Sequence, residues 1–269
     1  MNKVIPGSFG KFIVVIMIIS VILMLAPLIV VTGASFNPVK MTFPPDGFSL
    51  KWYGELAGNS EFTRAALVSL VLGLLASITS SLLGLSAAMG LRYCTGKVRS
   101  IVNGMMLSPM FIPSIVAGLA LYQISYMVFG AKPIWILLFG HILLTIPFPL
   151  RTIAANLESL PLSLDEAAMS VGAKPTRVVM SILLPLIKPG FFAGWLLAFV
   201  TSWNDFNISI FLSKPKFYPL SIEIYQYLLY QYSPILAAMS VTLIIFTIIV
   251  VLFMNKFFGL SGVTGVNSK

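Results

Sequence analysis

Six long apolar runs, separated by short polar stretches, constrain this chain more than any other feature. They cover about 12–31, 65–91, 101–129, 134–150, 189–212 and 234–257. A helix crossing a hydrocarbon core about 30 Å thick needs roughly 20 apolar residues. In lipid a helix also satisfies its own backbone hydrogen bonds, which an open strand cannot do. Only 9% of the 269 residues are charged and 58% are hydrophobic, against about 25% charged in soluble domains. The fold class expected is an all-α integral membrane protein, a single domain over 1–269 with six transmembrane helices. The first run is too long for a signal-peptide core and no clear small-residue cleavage site follows it, so it is expected to remain as an anchor.

The basic residues orient the spans. Six spans put both termini on one side, and that side carries Lys3, Lys11, Arg92, Lys97, Arg99, Arg151, Lys174, Arg177, Lys188, Lys256 and Lys269. The other side carries Lys40, Lys51, Arg64, Lys132, Lys214 and Lys216. Eleven against six places the termini in the cytoplasm by the positive-inside rule. That rule also accounts for the net charge of +9 better than a nucleic-acid partner does, since the basic residues are scattered through loops. Cys94 is the single cysteine, so no intramolecular disulfide is possible and no metal-ligand spacing is present. There is no Gly-x-x-x-x-Gly-Lys-Ser/Thr loop to cradle a nucleotide's phosphates.

Between the fourth and fifth spans lies the most structured polar stretch, 160–189, LPLSLDEAAMSVGAKPTRVVMSILLPLIKP. Ser163 followed by Glu166 is a capping-box pattern, opening a short Ala-rich helix to about Val171. Gly172 can supply the left-handed turn that ends it, and Pro175 suits the first position of a second helix. Two short helices with a bend between them, lying beside the membrane, are expected over 160–188. The pattern Glu166-Ala167-Ala168, Gly172, Ile182, Leu184-Pro185 resembles the EAA loop of ABC-importer permeases. That loop is a coupling helix, which in the family docks into a cleft on the ATP-hydrolysing subunit.

The resemblance extends along most of the chain and is to the polyamine (spermidine/putrescine) type, in particular the C-type permease. It implies a non-catalytic permease subunit of the bacterial inner membrane, serving binding-protein-dependent import. The partners implied are a second homologous permease, two ATP-binding subunits holding ATP and Mg, and an extracytoplasmic solute-binding protein. No cofactor or metal is expected in this chain itself. The fifth span departs from the polyamine pattern. Asn204-Asp205 stands where that permease has two adjacent acidic residues, and Trp-Asn-Asp-Phe is also similar to the Trp-Asn-Glu-Phe of sugar-type permeases. Aminophosphonates, other organic amines and sugars therefore stay open as substrates beside polyamines.

Asp205 is the other residue that draws notice, because ionisable groups within membrane spans are expensive and often functional. It could hold a cationic solute in transit, with Trp203 offering a cation–π face and Asn204 a neutral hydrogen-bonding pair. It could equally be a hydrogen-bonded structural group. The lone His141 reads as a satisfied packing residue, since a proton relay would need a series of such groups. Pro109 and Pro113 break the third span, as a structural kink or as part of a pathway. Ser69, Gly73, Ser77, Ser80, Ser81 and Gly84 give the second span a close-packing face. An ion-coupled secondary transporter is the competing class, although few candidate coupling groups lie in the spans and no repeat is evident.

Overall fold

The computed structural model describes residues 7–230 and 233–258. The helices are α1 (Gly7–Ser35), α2 (Lys51–Gly58), α3 (Ser60–Tyr93), α4 (Gly96–Leu107), α5 (Ser114–Phe129), α6 (Ile134–Thr145) and α7 (Pro147–Glu158). They continue with α8 (Ser163–Ser170), α9 (Pro175–Val178), α10 (Leu184–Trp203), α11 (Ser209–Leu212), α12 (Leu220–Tyr230) and α13 (Pro234–Phe258). The described residues form no strand.

Among the described residues, five helices are long and apolar enough to cross a membrane: Phe9–Ser35, Ser60–Tyr93, Ile134–Glu158, Pro175–Trp203 and Pro234–Met254. The third of these joins α6 to α7 across Pro147 and Pro149. Pro147 and Pro149 each remove one backbone donor, but Ile146 N–H donates to Ile142 O at 2.9 Å and Leu150 N–H to Ile146 O at 3.4 Å, so helical bonding resumes on either side of the rings.

The expected span over 101–129 takes a different form. Gly96–Phe111 and Ser114–Phe129 meet at 99°. Pro113 disfavours helical backbone at the residue before it, and Ile112 is extended, with φ −94° and ψ 125°. The 16 residues of α5 reach about 24 Å at 1.5 Å each, so a sixth crossing requires the bent pair together.

The fifth span also differs from its expected bounds of 189–212. The helix begins at Pro175, passes through a π-helical turn, Val179–Leu183, and ends at Trp203. Pro185 and Pro189 do not interrupt it. The wider turn directly precedes Pro185, where an α-helix must forgo one backbone bond anyway. Residues 209–212 form the separate helix α11. The second helix of the 160–188 loop is therefore the beginning of the fifth span.

Backbone packing divides the chain into two compact units. One is built from the chain up to Ser60 with Ile224–Phe246, the other from Glu61–Glu223 with the chain from Thr247 on. In the first, Trp52 and Tyr53 fasten the segment after α1. Trp52 Nε1–H donates to Asn37 O at 2.8 Å, and the Tyr53 and Ser35 hydroxyls meet at 2.7 Å. Phe36 stacks on Phe48, their ring centres 5.0 Å apart.

In the second unit, small residues set the helix spacing. Ser69, Gly73, Ser77, Ser80, Ser81 and Gly84 on α3 are all buried. A β-carbon at Gly84 would stand 2.8 Å from the Leu150 backbone nitrogen, and one at Gly194 would stand 2.5 Å from Pro149 Cα. Helices α3 and α10 thus approach α7 at van der Waals distance, the contact that holds helices together in lipid. Ala88, Leu91, Leu150, Ile153, Leu157 and Ile187 form the apolar core at that end.

Candidate functional site

The loop after α7 shows local geometry that its sequence only partly foretold. The capping box is not formed. Helix α8 starts with Leu162 at the capping position, and Ser163, one residue inside, makes no capping hydrogen bond. The first turn is instead closed by backbone bonds from Leu164 N–H to Pro161 O and from Asp165 N–H to Leu162 O, at 3.1 and 3.0 Å.

The other end follows expectation closely. Gly172 has φ +88°. Gly172 N–H donates to Met169 O at 2.9 Å and Ala173 N–H to Ala168 O at 3.1 Å. This is the paired bonding of a Schellman turn, which requires the left-handed residue between its two bonds. Lys174 is extended and Pro175 opens α9.

Glu166, Ala167, Gly172 and Pro185 are exposed, whereas Ala168, Ile182 and Leu184 are half-buried. Val178, Leu183 and Ile187 turn inward and are fully buried. Leu162, Met169, Val171 and Met180 leave apolar surface uncovered around the loop, Val171 being 84% exposed.

The residues that fix α8 in place are ones the sequence did not advertise. Arg92, in the last turn of α3, reaches Asp165 in the first turn of α8 with two parallel bonds. Nε–H donates to Oδ2 at 2.9 Å and an Nη2–H to Oδ1 at 3.0 Å. Its Nη1 donates to Leu157 O and Leu160 O at 2.7 and 3.1 Å, and Nη2 to Pro161 O at 3.3 Å. All five guanidinium donors are thereby used. Tyr93 O–H also donates to Asp165 Oδ2, at 3.0 Å.

Both ionic side chains are buried, each 4% exposed. The Arg92 guanidinium holds the Asp165 carboxyl below the usual carboxylate range. Burial opposes that shift, and the Tyr93 hydroxyl adds to it. A cavity of about 230 Å³ adjoins this group, lined by Arg92, Arg99, Asn103 and Glu158 among apolar residues. The sequence signal was faint. Arg92 directly follows the apolar run 65–91, nearer the span than Lys97 or Arg99, and Asp165 is adjacent to the more conspicuous Glu166.

The polar group after α10 is arranged as a scaffold. Trp203 is buried and continues a ladder of stacked rings through Phe199 to Trp195, with centres 6.1 and 5.9 Å apart. Asn204 is exposed and donates from Nδ2 to Val200 O at 2.9 Å. Asp205 is buried and turned onto the backbone ahead of it. Its Oδ2 accepts from Ile208 N–H at 3.2 Å, Ser209 N–H at 3.0 Å and Ser209 Oγ–H at 3.1 Å. Ser221 Oγ–H donates to its carbonyl at 2.6 Å.

His141, fully buried, lies between Ser202 Oγ and Ser209 Oγ, at 2.7 and 3.0 Å. Both ring nitrogens are therefore engaged. Among the described residues, no group of three or more His, Cys, Asp or Glu side chains could hold a metal ion.

Long apolar helices, close packing through small residues and a two-helix loop clamped to the ends of α3 and α7 define an all-helical membrane subunit, and comparison with known proteins gives its class. Residues 80–259 match the family described as binding-protein-dependent transport system inner membrane component. The chain is similar to the spermidine/putrescine transport system permease protein PotC of Escherichia coli (strain K12), 30% identical over 227 residues, 84% of this chain and 86% of that protein. It is also similar to the putrescine transport system permease protein PotI of the same strain, 32% identical over 215 residues, 75% of this chain and 74% of that protein. Its fold matches a crystal structure of a bacterial ABC transporter involved in the import of the acidic polysaccharide alginate. The TM-score is 0.71 at 20% identity, over 96% of this chain and 100% of that one.

The chain belongs to the family of binding-protein-dependent transport system inner membrane components. It is an ABC importer permease, a non-catalytic membrane component.

Proposed function

We propose that this subunit moves a small polar solute into the cytoplasm by ATP-driven alternating access. ATP and Mg bind to a separate pair of ATPase subunits. The observation that carries the reading is the loop 160–188. It is a two-helix projection with an exposed apolar rim, fixed at one end by Arg92 and continuous at the other with the helix ending at Trp203. A surface of that kind suits docking to a partner whose motion must reach the spans.

Glu166, Ala167 and Ala168 lie on the docking helix, and the small alanines allow close approach. Gly172 sets the bend. Ile182, Leu184 and Pro185 carry the motion into the fifth span. A second, homologous permease completes the pathway, and an extracytoplasmic binding protein delivers the solute. With the bent pair α4–α5 counted as the sixth crossing, both termini share one side, and the majority of Lys and Arg on that side supports the cytoplasm.

The best-supported substrate is a polyamine such as spermidine or putrescine, in keeping with the names of the relatives. On this reading Asn204 is the exposed polar group offered to the pathway, while Trp203 and Asp205 are buried beside it. The single carboxylate in Asn204-Asp205 keeps another organic amine, an aminophosphonate or a sugar as the second reading.

Uptake of labelled spermidine and putrescine by vesicles containing the assembled transporter tests the substrate, with unlabelled amines, aminophosphonates and sugars as competitors. Saturable polyamine uptake displaced by amines alone is the expected result. Displacement by a sugar or an aminophosphonate instead would overturn the polyamine reading and leave the family intact.

A further inference from the structure

The two limbs of the loop are attached in different ways. The α9 limb is covalently continuous with α10. The α8 limb is joined to α7 only by a turn, 159–162, and the Arg92 cluster clamps that turn and α8 to the end of α3. Arg92 belongs to α3, Leu157 to α7 and Asp165 to α8, so one guanidinium joins three helix ends. It also places a cation at the C-terminal carbonyls of α7, where the helix dipole favours one.

The pair is buried and bidentate, and every donor has an acceptor. Rotating α8 away from α3 would therefore strand a carboxylate and several carbonyls at once, which is strongly disfavoured out of water. Lysine carries the same charge but has three donors on a flexible stem and no planar fork. It cannot reproduce the junction.

We infer that Arg92 and Asp165 are positioning residues for energy coupling. Their clamp makes α8 move as one piece with the ends of α3 and α7, so that displacement of the loop enters the membrane through two routes. One route is covalent, through α9 into α10. The other is the clamp. The inference rests on the coupling reading above and adds to it a requirement for a particular side-chain geometry rather than for charge alone.

The test uses the complete transporter in vesicles, with Arg92→Lys, Arg92→Gln and Asp165→Asn. The amount of assembled complex, ATP hydrolysis and uptake of labelled spermidine (or of whichever competing solute it takes up) are measured together. Each variant, Arg92→Lys included, is expected to lose at least about five-fold in solute moved per ATP hydrolysed, the low end of couplings between distinct sites. Deuterium exchange at the α8 amides should rise while the α10 amides stay protected. Asp165→Asn is nearly isosteric and decides the matter if the Arg92 variants fail to assemble. A normal ratio in Asp165→Asn with α8 still protected overturns the clamp and leaves the importer reading standing. Wild-type uptake that ignores ATP defeats the importer reading, and the clamp falls with it.

Discussion

His141 Nε2 lies 3.7 Å from Asp205 Oδ2, and the Ser209 hydroxyl is hydrogen-bonded to both. With Ser209 donating to the carboxylate, its oxygen accepts from His141 Nε2–H, which leaves Nδ1 to accept from Ser202. The chain of bonds is complete with a neutral imidazole in one tautomer. It joins the fourth span, the end of the fifth and α11. Asp205 is thus the acceptor that holds the start of α11, and its carboxylate is turned onto the chain's own backbone.

Asp205→Ala is expected to lower the thermal stability of the purified subunit. It leaves the amides of Ile208 and Ser209 buried without an acceptor, at a cost of about 1–3 kcal/mol for each unsatisfied group. Asp205→Asn keeps an acceptor oxygen and should cost less. Unfolding temperatures in detergent separate the two. Unchanged stability in Asp205→Ala together with lost uptake would instead make this carboxylate a solute-contacting group.

Gly84→Ala and Gly194→Ala are both expected to destabilise the subunit. Each new methyl would stand less than 3.0 Å from a backbone atom of α7, and overpacking of this kind costs about 1–3 kcal/mol. Gly90, on α3 like Gly84, has nothing within 4 Å of its would-be β-carbon. Gly90→Ala should therefore be neutral or slightly stabilising. Equal losses at all three positions, again by thermal unfolding, would contradict the packing account.

Two carboxyls outside the spans respond to pH with opposite sign. Burial pushes the Glu223 carboxyl up, a rise that the Tyr218 hydroxyl and the Arg64 charge partly offset. A group whose folded pKa lies above its unfolded value, about 4.3 for Glu, favours folding below that value. It loses the contribution as pH rises through the folded pKa. Glu223→Gln should therefore stabilise the subunit near neutral pH and have little effect near pH 4. Asp165, held low by Arg92, contributes above its unfolded value of about 3.9. That contribution is lost only as pH falls through the lower folded value. Asp165→Asn should destabilise throughout the neutral range, with the difference closing in stronger acid. Stability curves of the two variants against pH provide the check.

The parts of this fold that were legible in the sequence are those set by local chemistry. Gly172 and Pro175 each admit few backbone conformations, and both stand where that chemistry requires. The apolar runs gave the spans, and Pro113 marked the break in the third. Other features depend on pairings across long stretches of chain. Arg92 and Asp165 are 73 positions apart, and either alone looks like a loop charge. The local pattern between Ser163 and Glu166 pointed to the wrong carboxylate, because α8 starts one residue earlier than a capping serine would set it. Pro189 stood at the expected start of the fifth span, yet the helix absorbs it and Pro185 beside a π-helical turn, and in lipid a long helix gains too much internal bonding to stop there.

Gly172 offers the most direct test of the central claim, that the loop 160–188 transmits the work of a separate ATPase. At φ +88° an L side chain is strained by roughly 1–2 kcal/mol, and Gly172→Asp also puts a charge at the bend of the docking surface. ATP-dependent uptake should be measured in vesicles that hold the whole transporter, wild type beside Gly172→Asp at matched amounts of inserted subunit. The account predicts uptake in the wild type that requires ATP, and its loss in the variant while the subunit stays in the membrane. Full ATP-dependent uptake by Gly172→Asp would contradict it.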